Sequence, residues 1–239
     1  MGNDKLDFTI DTLGPCTIAS PIKLSTIPGD MTARYVSDDS YVINQVNVFD
    51  TSKPIVLDSS NLMQKAGPRE KIYFDPTHAK AGICTCGGLC PGLNDVIRAI
   101  VRCLNTRYGV KTVKGYRFGY HGFFAEEGYE PIELDRYLID EIHKIGGTYL
   151  GTSRGGGQRV EEIVDCLERD GINMLFIIGG DGTQRGSYDI ACEVEKRGLK
   201  CAVVGVPKTV DNDLMFIDRS FGFETAVQRA KEAVAAVHM

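Results

Sequence analysis

From Lys80 to the end of the chain, short apolar runs rich in β-branched residues alternate with stretches of helical period. AGICTC is followed by Val96, Ile97, Ile100, Val101 and Leu104 at helix spacing, then come VKTVKG and TYLGTS. The amphipathic stretch Val160 to Arg169, the run MLFIIGG, a helix from about Gln184, CAVVGVP and a final helix from about Glu224 to His238-Met239 continue the order. Strands separated by helices predict right-handed crossovers and a parallel sheet, an α/β domain. Residues 1 to about 70 scatter Pro, Gly, Ser and Asp without a sustained period, and the character changes after Gly67-Pro68. The expected organisation is therefore an irregular N-terminal extension over 1–70 and one α/β domain over 71–239.

Composition narrows the class. At 239 residues and 43% hydrophobic, the chain is long enough for one large domain with a buried core. Its formal net charge of -5, with both signs evenly spread, argues against a nucleic-acid or anionic-membrane partner. No apolar run approaches a membrane span, and the acidic start MGNDKLDFTIDTLG does not fit a signal or transit peptide, so a cytoplasmic location is expected. The eight cysteines sit mostly in apolar segments and are read as reduced thiols. Cys84, Cys86 and Cys90 lack the second ligand pair of a zinc site.

The unusual loops fall where ligands sit in open parallel sheets, at the carboxyl ends of the strands. They are CGGLCPGLN (86 to 94), GTSRGGG (151 to 157), GGDGTQRG (179 to 186) and PKTVDND (207 to 213). Gly87, Gly88 and Gly92 before a helix let backbone N–H groups approach a phosphate, although such a loop can also be only a turn. Asp181 between glycines points to Mg²⁺, or else to a helix cap, and Gly182 beside it leaves the space of a side chain empty. Asp211 and Asp213, with Thr209 and Val210 ahead of them, can divide proton transfer from substrate or metal holding; an Asp-rich surface turn would look much the same. Arg154 before three glycines offers a bidentate phosphate donor, or is an ordinary exposed arginine. Four such loops on one sheet point to phosphoryl transfer, which needs positioning and charge neutralisation above all.

CGGLCPGLN, GTSRGGG, IIGGDGTQRG and VPKTVDND, in this order and followed by SFGFETAV, resemble the 6-phosphofructokinase family, while AGPREKIYF and the residues from about Tyr35 resemble the extension of its plant-type, ATP-dependent branch. The likeness covers roughly residues 35 to 239. It implies a Rossmann-like, three-layer α/β domain that transfers the γ-phosphate of ATP to the 1-hydroxyl of fructose 6-phosphate in glycolysis, in an allosteric homo-oligomer, a tetramer by the same likeness. It also implies that Gly88, Arg154, Gly155, Gly180, Asp181, Gly182 and Thr183 surround ATP, with Asp181 on Mg²⁺. Asp211 corresponds to the proton acceptor, and Thr209, Val210 and Asp213 to the substrate loop around it. Arg98 and Arg102, on one helical face, match an effector-binding pair of bacterial relatives, although exposed helix arginines would look the same.

Pyrophosphate-dependent relatives share Lys208 but carry Asp where this chain has Gly182. An added carboxylate there would repel the α-phosphate of a nucleotide, so ATP is favoured, with pyrophosphate as the alternative. The family's sugar-phosphate half lies beyond the last helix, so the chain is expected to be a fragment, or a product that needs a complementing C-terminal half. A non-catalytic nucleotide-binding regulatory subunit is a further alternative. Lipid and NAD kinases also use a GGDG strand end but would not be expected to carry the other loops at these distances.

Overall fold

A computed structural model describes residues 6–27, 29–30, 32–44, 52 and 55–237. The chain divides into two compact units, Met1–Tyr73 and Phe74–Met239. In the first, β1 (Ile18–Ala19), β2 (Tyr41–Ile43), β3 (Leu62–Gln64) and β4 (Lys71–Ile72) form two antiparallel pairs, β1 with β4 and β2 with β3. Much of the rest is irregular, with short side chains bonded to nearby backbone: Asp7 accepts from the Thr9 N–H, Asp30 from the Thr32 N–H and Asp58 from the Ser60 N–H. Local bonds of this type compete with ladders, which is why an Asp- and Ser-rich segment yields so little regular structure.

The second unit runs through β5 (Lys80–Thr85), α1 (Leu93–Arg102), β6 (Thr112–Tyr116), β7 (Ile132–Glu133), α2 (Val160–Asp170), β8 (Met174–Gly179), α3 (Asp181–Lys196), β9 (Ala202–Pro207) and α4 (Phe223–Val237). One sheet takes the order β7-β6-β5-β8-β9. All neighbours are parallel except the two-residue edge pair of β7 with β6. The parallel α/β expectation holds, and the antiparallel edge is an addition to it.

Period-two alternation divides the core between the two faces of the sheet. Cys84, Leu175 and Ile177 pack with Ile163 and Leu167 of α2 and Ile190 and Val194 of α3. Ala81, Ile83, Val113 and Ile178 pack with Leu93, Ile97 and Val101 of α1. Strands covered on both faces must be apolar throughout, which explains the unbroken run from Met174 to Ile178. Burying one such leucine or isoleucine contributes about 1.5–3 kcal/mol. By contrast, α4 buries none of its residues, and Val204, Val227 and Val234 are exposed. No helix among the described residues is long and apolar enough to cross a membrane.

Two assignments differ from expectation. TYLGTS is not a strand. Its backbone is satisfied piecemeal: the Leu150 carbonyl accepts from the Phe118 N–H, the Gly151 carbonyl from the Thr85 hydroxyl, the Ser153 carbonyl from the Gly87 N–H, and the Tyr149 N–H donates to the Asn94 side chain. Side-chain alternation alone could not distinguish this from a ladder. Helix α3 begins at Asp181 rather than near Gln184, whereas α4 begins at Phe223, about where expected; its expected end at His238-Met239 lies outside the described residues.

At the far end of the sheet, the Lys114 ammonium (3.0 Å) and the Tyr116 hydroxyl (2.8 Å) both reach Asp170 Oδ2 and tie α2 to β6. Burial pushes the Asp170 carboxyl up, but these two partners outweigh it and hold the group below its ordinary value. A depressed carboxyl stabilises the fold above its unfolded pKa, roughly 3.9, and loses that contribution as pH falls through the folded value. Asp170→Asn should therefore lower unfolding free energy at neutral pH by about 1.5–3 kcal/mol, with the gap to the parent chain closing as pH drops below about 4. Urea unfolding across that range measures it; a gap that persists in acid would mean that the charge is not its source.

Candidate functional site

The chain leaves β5 toward β6 on one side of the sheet and leaves β8 toward β9 on the other. Neighbouring parallel strands whose connections diverge leave a crevice at their carboxyl ends. A cavity of about 450 Å³ opens there. Its walls are Cys86, Gly87 and Gly88 after β5, residues of the 153–158 loop, Gly180 to Thr183 at the start of α3, Arg185, Gly186 and Asp189 further along that helix, and Tyr120 and Lys208.

Backbone groups dominate the side of the cavity nearest the sheet. Gly87, at φ 82°, donates its N–H to the Ser153 carbonyl and accepts the Thr152 hydroxyl, so the two glycine loops are tied together. A Cβ at Gly88 would meet nothing within 4 Å. Gln184 is the first residue of α3 whose N–H bonds back, to the Gly180 carbonyl at 2.9 Å. The preceding N–H groups of Asp181, Gly182 and Thr183 are the free donors of the helix start, suited to an anion. Asp181 is the first helical residue and makes no capping bond; Gly180 precedes it in extended backbone. Asp181 thus lies in the first turn, where its charge also favours the helix start, and its exposed carboxylate receives no hydrogen bond from the described residues.

Tyr120 fixes the spacing of these parts. Its hydroxyl donates to the Thr183 carbonyl at 2.7 Å. A Cβ at Gly157 or at Gly186 would come within 3.0 Å of it, so both glycines exist to let the ring lie between the 153–158 loop and α3. Gln184 joins the neighbouring strands, donating to the carbonyls of Gly179 (2.9 Å) and Val206 (3.3 Å).

Three cations line the cavity, Arg154, Arg185 and Lys208, against the carboxylates Asp181 and Asp189. None of the three has an ion-pair partner among the described residues, whereas Arg98, Arg102, Arg159 and Arg197 elsewhere are all paired. Lys208 is 7% exposed, and no described acceptor takes its ammonium. Burial pushes its pKa down, and the Arg154 charge acts in the same direction. An ammonium held in this way is costly without a counter-charge, which an anionic ligand would supply.

The cavity unites Gly88, Arg154, Gly155, Gly180, Asp181, Gly182 and Thr183. Thr209, Val210, Asp211 and Asp213 are not in its wall but on the loop that follows Lys208. There Thr209 is buried, donates to Asp213 Oδ1 at 2.5 Å and accepts the Asp211 N–H at 3.1 Å. Asn212 takes left-handed backbone at φ 55° and grips the Ser220 N–H and the Asp218 carbonyl. The two carboxylates consequently differ: Asp213 is engaged, while Asp211 is exposed and receives no side-chain or backbone donor from the described residues. Arg98 and Arg102 lie apart from the cavity, both on Asp140 (3.2 and 3.7 Å).

Sequence reading missed Tyr120, Arg185 and Asp189. The last two were legible, since Asp181, Arg185 and Asp189 recur every four residues on one helix face. Tyr120 carries no such signal. All eight cysteines are free, and among the described residues no three His, Cys, Asp or Glu side chains group as a metal site.

The family model described as Phosphofructokinase matches residues 80–239. The chain is 52% identical over 236 residues to the ATP-dependent 6-phosphofructokinase of Borreliella burgdorferi, covering 99% of this chain and 52% of that protein. To ATP-dependent 6-phosphofructokinase 7 of Arabidopsis thaliana it is 52% identical over 176 residues, 74% of this chain and 36% of that one. It thus spans about half or less of the length of these curated relatives. Phosphofructokinase from Saccharomyces cerevisiae shares the fold, with a TM-score of 0.57 at 24% identity over 67% of this chain and 24% of that chain.

Tyr120→Phe keeps the ring between the two glycines and removes only the bond to Thr183. The variant should fold, lose about 1 kcal/mol of unfolding free energy, and show faster amide exchange in the first turn of α3. Unaltered exchange there would mean that the hydroxyl does not hold the helix start.

Proposed function

The chain belongs to the phosphofructokinase family, and we propose that it forms the nucleotide-binding part of an ATP-dependent 6-phosphofructokinase, transferring the γ-phosphate of ATP to the 1-hydroxyl of fructose 6-phosphate. The observation that carries this reading is the empty space beside Asp181: a Cβ at Gly182 would meet nothing within 4 Å, on a cavity wall otherwise rich in N–H donors and cations. That room suits a polyphosphate extended by a nucleoside.

On this reading, Gly88 and the first turn of α3 take phosphate oxygens by backbone donation, with Arg154 and Gly155 closing the opposite side. Asp181 would hold Mg²⁺. A single exposed carboxylate with no protein partner fits an ion that takes most of its remaining ligands from water and phosphate. When bound, the ion neutralises charge on the phosphates. Asp211, exposed and free of donors, is available to accept the proton of the sugar hydroxyl, while Thr209 and Asp213 hold the shape of the loop beneath it. Val210, beside it, is exposed as well. Lys208 favours a second reading, pyrophosphate as donor, because a buried ammonium without a partner suits a compact, highly charged anion.

Two substitutions separate these possibilities. Gly182→Asp adds a carboxylate where nothing crowds it and where a helix start favours negative charge, so the fold should survive. Mg-ATP affinity by calorimetry should nonetheless fall at least about tenfold, the effect of roughly 1.4 kcal/mol of repulsion. Undiminished affinity would remove the argument for the nucleotide. Asp211→Asn should leave Mg-ATP affinity within about twofold and lower sugar-dependent ADP release in the full-length protein by roughly 100-fold or more, the usual cost of a lost general base. Turnover within a factor of about three of the parent would transfer the role to Asp213 or to water.

A further inference from the structure

We infer that His121 is a positioning residue for the phosphate cavity: its imidazolium form ties the Arg154 carbonyl to Glu127, and anion affinity thereby depends on its protonation. The inference rests on the nucleotide reading of the cavity given above.

His121 lies in the 3-10 helix Gly119–Phe123. Its Nδ1 is 3.0 Å from Glu127 Oε1 and its Nε2 is 3.3 Å from the Arg154 carbonyl oxygen. Both partners only accept. A neutral imidazole carries one N–H and one lone pair, so it would satisfy one oxygen and turn a lone pair on the other. Only the imidazolium donates to both. The side chains of His121 and Glu127 are 30% and 34% exposed, so protons exchange freely with solvent.

The bond matters to the cavity because the loop has little else to hold it there. Gly155 and Gly156 take left-handed backbone at φ 85° and 82° and bring no side chains. A Cβ at Gly156 would lie 2.9 Å from Tyr120 Cβ, 3.3 Å from Phe124 Cε2 and 3.6 Å from His121 Cδ2, so the loop backbone rests on these three residues, of which His121 alone offers it a hydrogen bond. Upstream, Ser153 is fixed through the Phe118 carbonyl, and downstream the Gly156 carbonyl takes the Arg159 N–H. Between these anchors the Arg154 peptide is held by His121, and Arg154 projects a guanidinium into the cavity with no ion partner among the described residues.

The charges around the ring come from three segments. Glu126 and Glu127 belong to the turn Ala125–Glu127, and Arg154 and Arg159 to the loop entering α2, which also carries Glu162. Arg159 lies over the Phe124 ring at 3.7 Å and pairs with Glu126 and Glu162. Glu126 is thus already neutralised, which leaves Glu127 as the carboxylate facing the imidazole. Imidazoles discharge as pH rises through about 5 to 8. Once the ring is neutral, its remaining N–H stays with the Glu127 carboxylate, the stronger acceptor, so the bond to the Arg154 carbonyl is lost and the loop loosens.

Mg-ATP titration by calorimetry from about pH 6 to about pH 8 tests this on the parent chain, His121→Gln and Glu127→Gln, with an unfolding curve at each pH. The phosphates of the nucleotide titrate identically with all three proteins. Between those limits the parent should lose about three- to tenfold more affinity than His121→Gln, the worth of one hydrogen bond. Glu127→Gln should flatten the fall, because an amide N–H can donate to a neutral ring at Nδ1 and leave the Nε2 proton on the Arg154 carbonyl. Parallel pH profiles for parent and variants would overturn the inference, and comparison of parent with Glu127→Gln decides it even if His121→Gln does not fold. Absence of Mg-ATP binding to the parent at any pH would overturn the nucleotide reading and this inference with it, and is a different result from parallel curves with measurable affinity.

Discussion

A parallel sheet covered by apolar side chains on both faces leaves polar chemistry at its strand ends, and the site follows from that constraint. Ile83 and Ile178 face one layer while Cys84 and Ile177 face the other, so neither face has room for a charged group. The connections diverge between β5 and β8, and the crevice this opens is where Gly88 and Asp181 meet. Apolar burial thus determines where a ligand can bind, and the loops determine which ligand.

Those loops were legible because glycine leaves a mark in sequence whenever backbone must approach something closely. The parallel order was legible from strand and helix periods, and the family likeness agreed with both. The role of Tyr120 and the path of TYLGTS depend on partners distant in the chain. Tyr120 acts through Thr183, 63 residues later, and no local spacing announces it. TYLGTS alternates as a strand does, yet Asn94, Thr85 and Phe118 each satisfy part of it without a ladder. Spacing alone let Asp211 and Asp213 divide their roles either way, and only the family likeness ranked them; in the structure the Thr209 hydroxyl donates to the Asp213 carboxylate alone.

Electrostatics concentrate what the net charge conceals. The chain is acidic by five charges, yet the cavity wall holds Arg154, Arg185 and Lys208 without carboxylate partners among the described residues. Several arginines elsewhere are neutralised in pairs, as with Arg197 on Glu193 and Asp165. A global negative field with a local positive recess requires an anion to be drawn in at short range, since longer-range attraction is screened within about 8 Å at physiological salt.

Gly182 lies beside the metal-binding candidate, yet its missing side chain touches nothing. Core positions such as Leu175 resist substitution because their neighbours have no slack. This one is free of packing constraint, and a carboxylate in the first turn even favours the helix. Glycine and aspartate codons with the same third pyrimidine differ by a single base. On the proposed reading, a lineage could therefore exchange one phosphoryl donor for another in one mutational step that selection for folding would not oppose, so donor preference can change much faster across descendants than the architecture that carries it.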